Sequence, residues 1–177
     1  MDKKYEAIRI QPHYLISFFE KNFDNNLKYS IKKIKVNDIL PTSIYVKNSR
    51  LEYAKFTAKK LREQNIDLYE PHIKYDGNLY RLVPPPIVES RKEGLVLCDG
   101  THRVMVAKEL DIKEIIILYV ENAYKPLAGQ VTSWSKIIRT DKSYKTEDNF
   151  LNFCQEGMTG YSKFCNSEIM NSIKIFK

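Results

Sequence analysis

The chain has 177 residues, 43% of them hydrophobic and 12% aromatic, and a formal net charge of +7. That length and apolar content exclude a disordered chain and suit one globular domain that buries its own core without staples. The basic balance favours anionic partners such as nucleic acid or nucleotides, although many basic surfaces are only solvated lysines.

Tyr14, Leu15, Phe18, Phe19 and Phe23 recur at helical spacing, so residues 11–24 read as a short amphipathic helix. Residues 29–36 place Ile31, Ile34 and Val36 among lysines and read as a strand with a basic face, bent once out of strict alternation. Asn37, Asp38 and Pro41 punctuate the chain, and residues 43–46 favour extended structure. Leu51, Ala54, Ala58 and Leu61 form the apolar stripe of a helix over 50–64, with Phe56 off that stripe. Asn48 or Ser49 is expected to cap its start and Asn65 to stop it. Asp76-Gly77, between residues 72–75 and 78–81, signals a hairpin. Pro84, Pro85 and Pro86 stiffen the approach to a second hairpin over 86–98.

Residues 94–120 organise the rest. Leu95 to Cys98 read as a buried strand, Asp99 to Arg103 as a tight polar turn, Val104 to Leu110 as a helix, and Ile115 to Val120 as a second buried strand. Beyond residue 120 the pattern weakens. Trp134 reads as a packing anchor, residues 147–154 as a short helix, and the tail from Gly157 as a further helix or edge strand. Three cysteines, Cys98, Cys154 and Cys165, include no C-x-x-C pair and point to reduced, buried thiols. The opening MDKKYEAIRI has no signal-peptide core, and the apolar run Ile115–Val120 is too short to span a bilayer. A cytoplasmic protein with no membrane partner is expected.

The chemistry concentrates where the strand stops and the helix begins. A helix start offers unpaired N–H groups and a partial positive charge, so it is an anion site. Gly100 and Thr101 bring backbone N–H groups close to such an anion. Arg103 reads as a bidentate phosphate ligand or as a helix-face ion pair. His102 reads as a donor to phosphate or as a structural hydrogen bond. Asp99 reads as a Mg²⁺ ligand or base, or as a helix cap. The bound phosphate is expected to belong to a nucleotide, yet no Walker A or Rossmann glycine pattern and no zinc-spaced His/Cys cluster is present.

The stretch DGTHRVMVAKELDIKEIIILYV resembles the ParB/sulfiredoxin fold family at Asp99, Gly100, His102, Arg103, Ala107 and Lys108, and at the link Ile112–Ile115. Upstream, IKVNDILP resembles that family's opening strand and loop, residues 50–64 its first helix, and PPIVES the strand before the motif. The likeness covers roughly residues 33–121, with 67–82 looking like an inserted hairpin. It implies an α+β fold, a small mixed sheet flanked by helices. The implied division is a helical extension over 1–28, a nucleotide-binding core over 29–124 and a C-terminal extension over 125–177 that packs on the core.

The branches of the family differ in chemistry. Sulfiredoxins carry a cysteine before His-Arg, where this chain has Thr101, so that activity is not expected. Partition-type ParB proteins bind CTP and DNA through a Gly-Glu-Arg-Arg-type turn and a downstream helical reader, which is not evident here. Free-serine kinases that use ADP or ATP carry Asp-Gly-x-His-Arg, which Asp99–Arg103 matches in full. Their catalytic glutamate falls near Pro41-Thr42-Ser43, which holds no carboxylate; Asp38 and Glu52 flank that slot. The resemblance thus implies a phosphotransferase that moves phosphate from ATP or ADP, with Mg²⁺, to a small serine-like hydroxyl. Asp99, His102 and Glu52 would be its catalytic groups, and Asp99 its metal ligand. Gly100, Thr101, His102, Arg103, Asn48 and Arg50 would hold the nucleotide. The alternative is a ParB-like nucleic-acid-binding protein with CTP, using the lysines of 29–36 and 55–63, or a nuclease.

Overall fold

The computed structural model describes residues 5–23, 26–75, 80–122 and 130–142. The first half of the chain forms β1 (Glu6–Arg9), α1 (Pro12–Asn22), β2 (Lys28–Lys35), β3 (Ile39–Leu40), β4 (Tyr45–Lys47) and α2 (Asn48–Arg62). Then follow β5 (His72–Tyr75), β6 (Tyr80–Val83), β7 (Ile87–Arg91), β8 (Gly94–Asp99), α3 (Thr101–Glu109), β9 (Glu114–Glu121) and β10 (Ile138–Thr140). Val36–Asp38 and Trp134–Lys136 are single 3₁₀ turns. The fold is α+β, with three helices and mixed sheets among the described residues. None of the described helices is long and apolar enough to cross a membrane.

A five-stranded sheet in the order β2-β9-β7-β8-β3 carries the molecule. β9 lies inside it because almost every residue of EIIILYVE is apolar, so both of its faces can be covered. Ile115 and Ile117 face one core, Leu118 and Val120 the other. The first core is roofed by α2 and α3 through Leu51, Ala54, Leu61, Val104 and Ala107. The second is closed by α1 through Leu15 and Phe19, and by the β5–β6 hairpin through Ile73 and Leu82.

Several expectations change. β2 pairs residue for residue with β9 from Lys28↔Glu121 to Lys35↔Glu114, so the expected bend is absent. A full-length partner strand holds the register that the side-chain pattern alone leaves loose. The N-terminal stretch holds a strand as well as a helix. β1 adds antiparallel to β5 by backbone pairing, and its two apolar residues, Ala7 and Ile8, give too little alternation to signal it. α2 begins at Asn48, after Lys47, with no side-chain cap among the described residues. Asn48 therefore does not cap α2, and its amide instead donates to Asp141 at 3.1 Å. Asn65 does mark the stop, with φ at 57° just beyond the helix. The 76–77 turn, the 147–154 helix and the tail from Gly157 lie outside the described residues.

Residues 130–142 form a strap along the β3–β4 stretch, where Thr132 N–H donates to the Pro41 carbonyl at 2.8 Å. β10 pairs parallel with β4. Trp134 packs on the first core and its Nε1 donates to the Ile39 carbonyl at 2.6 Å. Arg139 ion-pairs with Glu109 of α3 at 2.5 Å.

On the other face of the sheet, Glu89 of β7 is fully buried and its carboxylate accepts from Arg91 Nε at 2.7 Å and Nη2 at 2.6 Å. Removing one partner of such a pair strands the other charge in a low-dielectric interior. We expect Glu89→Ala to lose about 3–5 kcal/mol in urea unfolding. A loss on the order of 0.5 kcal/mol, typical of a surface change, would show that Arg91 finds water instead.

Candidate functional site

β8 ends at Asp99 and the chain reverses at Gly100, whose φ is +93°. That left-handed conformation favours glycine because it has no Cβ. A Cβ there would also lie 3.0 Å from Pro86 Cα and Cβ and 3.1 Å from Arg103 Nη2. α3 starts at once with Thr101, and Gly100 itself stands at the N-cap with no side-chain cap bond among the described residues. Asp99 therefore does not cap the helix. The first-turn N–H groups of α3 have no intrahelical acceptor.

α2 starts in the same way, from Lys47 and without a side-chain cap among the described residues. The two starts are neighbours. Ser43 Oγ, in the loop before β4, lies 3.4 Å from Thr101 Oγ1, and the charge of Arg50 bears on His102. Thr42, buried in that loop, donates to the Leu97 carbonyl at 3.2 Å and fixes the loop on β8. Two positive helix ends thus face one loop of hydroxyl side chains.

The sequence-picked residues divide into two groups. Asp99, Gly100, Thr101, His102, Arg103, Arg50 and Asn48 gather at these helix starts. Glu52 lies one turn along α2, is 68% exposed, and pairs with Lys55 at 2.8 Å. Lys55 also reaches Glu109 at 2.9 Å, at the end of α3 remote from the turn. Asp38 is likewise remote, since its neighbour Asn37 accepts from Lys108 at 3.0 Å in the last turn of α3.

Within the site each group has a defined environment. The Arg103 side chain is only 13% exposed, donates to the Pro84 carbonyl and pairs with Asp99 at 3.3 Å. It ties the turn to the proline stretch. The Tyr69 hydroxyl donates to the Arg103 carbonyl at 3.2 Å from the opposite side. The buried His102 Nε2 has no hydrogen-bond partner among the described residues. Burial first, then the charge of Arg50, pull His102 down to about 4 against the opposing charge of Asp99, so it is neutral at pH 7. Asp99 is 37% exposed and is the carboxylate best placed to meet a ligand.

Two members escaped the sequence. Asp141 sits beside Asn48 because β10 pairs with β4, a contact across 93 positions that no local pattern announces. Ser43 was visible only as a missing carboxylate, and its position beside Thr101 follows from the loop's attachment to β8. No group of three or more His, Cys, Asp or Glu that could hold a metal ion occurs among the described residues. A Mg²⁺ ion at Asp99 would therefore depend on oxygens brought by the ligand, which suits that ion's habit of binding through one carboxylate, water and phosphate. Cys98 is a poor nucleophile: burial, then the charge of Glu89, push its thiol well above the usual range.

No family model matches the chain, and no curated protein matches it. Among solved structures there is a distant likeness to the C2221 form of a Pnob8-like ParB-N domain. It has 18% identity and a TM-score of 0.31, over 55% of this chain and 31% of that one. A second is the pNOB8-like ParB N-domain, with 14% identity and a TM-score of 0.29, over 59% of this chain and 32% of that one. The matched region spans about a third of each of those chains, 31% and 32%.

Two outcomes follow. Gly100→Ala is expected to cost about 1–3 kcal/mol, from the left-handed backbone and the Pro86 contact. An unchanged urea midpoint would contradict the geometry. His72, 1% exposed behind Arg103, is lowered from 6.5 to about 4, chiefly by burial. The unfolded chain therefore takes up that proton first as pH falls. Its contribution, about 3 kcal/mol, is complete above pH 6.5 and is lost between 6.5 and about 4. Stability of the parent should fall across that window more steeply than that of His72→Gln. Equal acid slopes for the two proteins would refute this.

Proposed function

We propose that this protein binds a nucleotide by its phosphates at the adjoining first turns of α2 and α3 and transfers the terminal phosphoryl group to a small hydroxylated acceptor. The observation that carries this reading is the pairing of two helix starts, beside Arg50 and His102 Nε2, where among the described residues neither start has a side-chain cap and Nε2 has no partner. Such a place stabilises a multiply charged anion through N–H groups and helix dipoles together.

The backbone of Thr101 to Arg103 takes phosphate oxygens, and the exposed Arg50 guanidinium closes on them from α2. Neutral His102 would hydrogen-bond the same group through Nε2 only as nucleotide entry uncovers that buried atom. Arg103 acts as a positioning residue, because its side chain is spent on Pro84 and Asp99. Asp99 accepts the proton of the acceptor hydroxyl as that oxygen bonds to phosphorus and the bond to the leaving nucleotide breaks. Bound Mg²⁺ would neutralise charge on the phosphates. The adenine nucleotide and the serine-like acceptor come from the resemblance of Asp99-Gly100-Thr101-His102-Arg103 to free-serine kinases. Glu52, held by Lys55 on the solvent side, has no role in this scheme.

The test is a thermal-shift series with ATP, ADP and CTP, each with and without Mg²⁺, paired with ³¹P NMR of reactions containing serine. One adenine nucleotide should raise the midpoint, corresponding to about 2.7 kcal/mol at 100 times its Kd. It should also yield a phosphate monoester. Arg50→Ala and His102→Ala should each weaken binding by about tenfold or more. A shift with CTP alone and no transfer would replace the kinase by the CTP-binding alternative. No shift with any nucleotide would refute both.

A further inference from the structure

The face of α2 turned away from the sheet carries two large rings that the core does not use. Tyr53 is 50% exposed and Phe56 49% exposed, and their centroids lie 6.4 Å apart. Spacings of three and four put Tyr53, Phe56 and Lys60 on one stripe of the helix. Cations frame both rings. Lys60 Nζ lies 6.0 Å from the Phe56 centroid. Lys74, reaching across from β5, lies 5.0 Å from the Tyr53 centroid and donates to its hydroxyl. Its other side faces the Tyr5 ring at 5.2 Å. Arg81 stands directly across from Lys74 in the β5–β6 register, and exposed Lys59 adds a further positive charge beside the stripe. Glu52 and Glu63 border the patch, each paired with a lysine.

We propose that this surface binds single-stranded nucleic acid, the bases stacking on Tyr53 and Phe56 and the phosphates running along Lys59, Lys60, Lys74 and Arg81. Rings interleaved with cations match a strand that offers flat base faces and backbone charge at short, regular intervals. A protein partner fits less well, because buried interface centres are depleted in lysine, and here lysines stand over the rings themselves. A duplex fits less well too, since its base faces are stacked inside. The net charge of +7 acts in the same direction. The surface begins one helical turn along α2 from Arg50 of the helix-start site, and it does not depend on the nucleotide reading.

Fluorescence anisotropy of the full chain with a labelled oligo-dT and oligo-U, against a hairpin duplex, tests it. The single strands should bind more tightly than the duplex, with affinity falling linearly in log–log form as salt rises. Phe56→Ala and Tyr53→Ala should each raise Kd by about tenfold, and Phe56→Trp should restore binding. Both positions are exposed, so circular dichroism should show folded variants. His102→Ala, which bears on the nucleotide site, should leave oligonucleotide affinity unchanged. The proposal is overturned by no binding at low salt, by equal affinity for duplex and single strand, or by ring substitutions that leave Kd where it was. A salt-dependent affinity carried by the lysines alone would give that last result.

Discussion

The left-handed turn at Gly100 is the constraint from which the candidate site follows. It lets β8 run into α3 with only Gly100, which has no side chain to cap with, between them, so the helix opens on N–H groups that no side chain caps among the described residues. Arg103 then braces the turn from within the helix it starts, bonding back to Pro84 and Asp99. Pro86 fills the space where any side chain at Gly100 would stand. The conformation costs backbone strain to any other residue and so fixes one geometry.

The sheet places that turn where it can meet a second helix start. β7 is the middle strand of the sheet and β8 lies beside it, with α2 and α3 on one face and α1 on the other. β4 and the loop before it lead into α2 next to the turn, and the strap of residues 130–142 holds them through β10, Trp134 and the Arg139–Glu109 pair. Strap and turn are therefore mechanically linked through α3. The two helix starts lie close together, with the charge of Arg50 on α2 bearing on His102 of α3, while the aromatic stripe lies farther along α2. Under the two proposals, one helix would serve two chemically different surfaces, its first turn for phosphate and its outer flank for flat rings.

Much of this was legible in the chain. The continuous apolar run of β9, the stripe Leu51, Ala54, Ala58 and Leu61, and the Asp99–Arg103 stretch announce a buried strand, a packed helix and a strand-to-helix junction, although the junction narrows to Gly100 and Thr101–Arg103 are already the first turn of α3. What escaped depends on contacts distant in sequence. β1 exists because β5 offers it an edge. Asn48 points to Asp141 because a strap brings that residue back. Glu89 and Arg91 look like surface charges in the one-dimensional pattern, yet they lie inside because β7 is covered on both faces. The ion pair of Arg103 is among the readings of the sequence and is made with Asp99, but its bond to a backbone carbonyl of the proline stretch was invisible.

The central claim is that a nucleotide's phosphates sit on the starts of α2 and α3. Titrating ATP into ¹⁵N-labelled protein and following backbone amides measures this directly. The account predicts the largest shifts at Thr101, His102 and the amides of residues 48–50, moving together and saturably, with Glu52 and the strands of the sheet little changed. Saturable shifts centred elsewhere, or none at millimolar nucleotide, would contradict it.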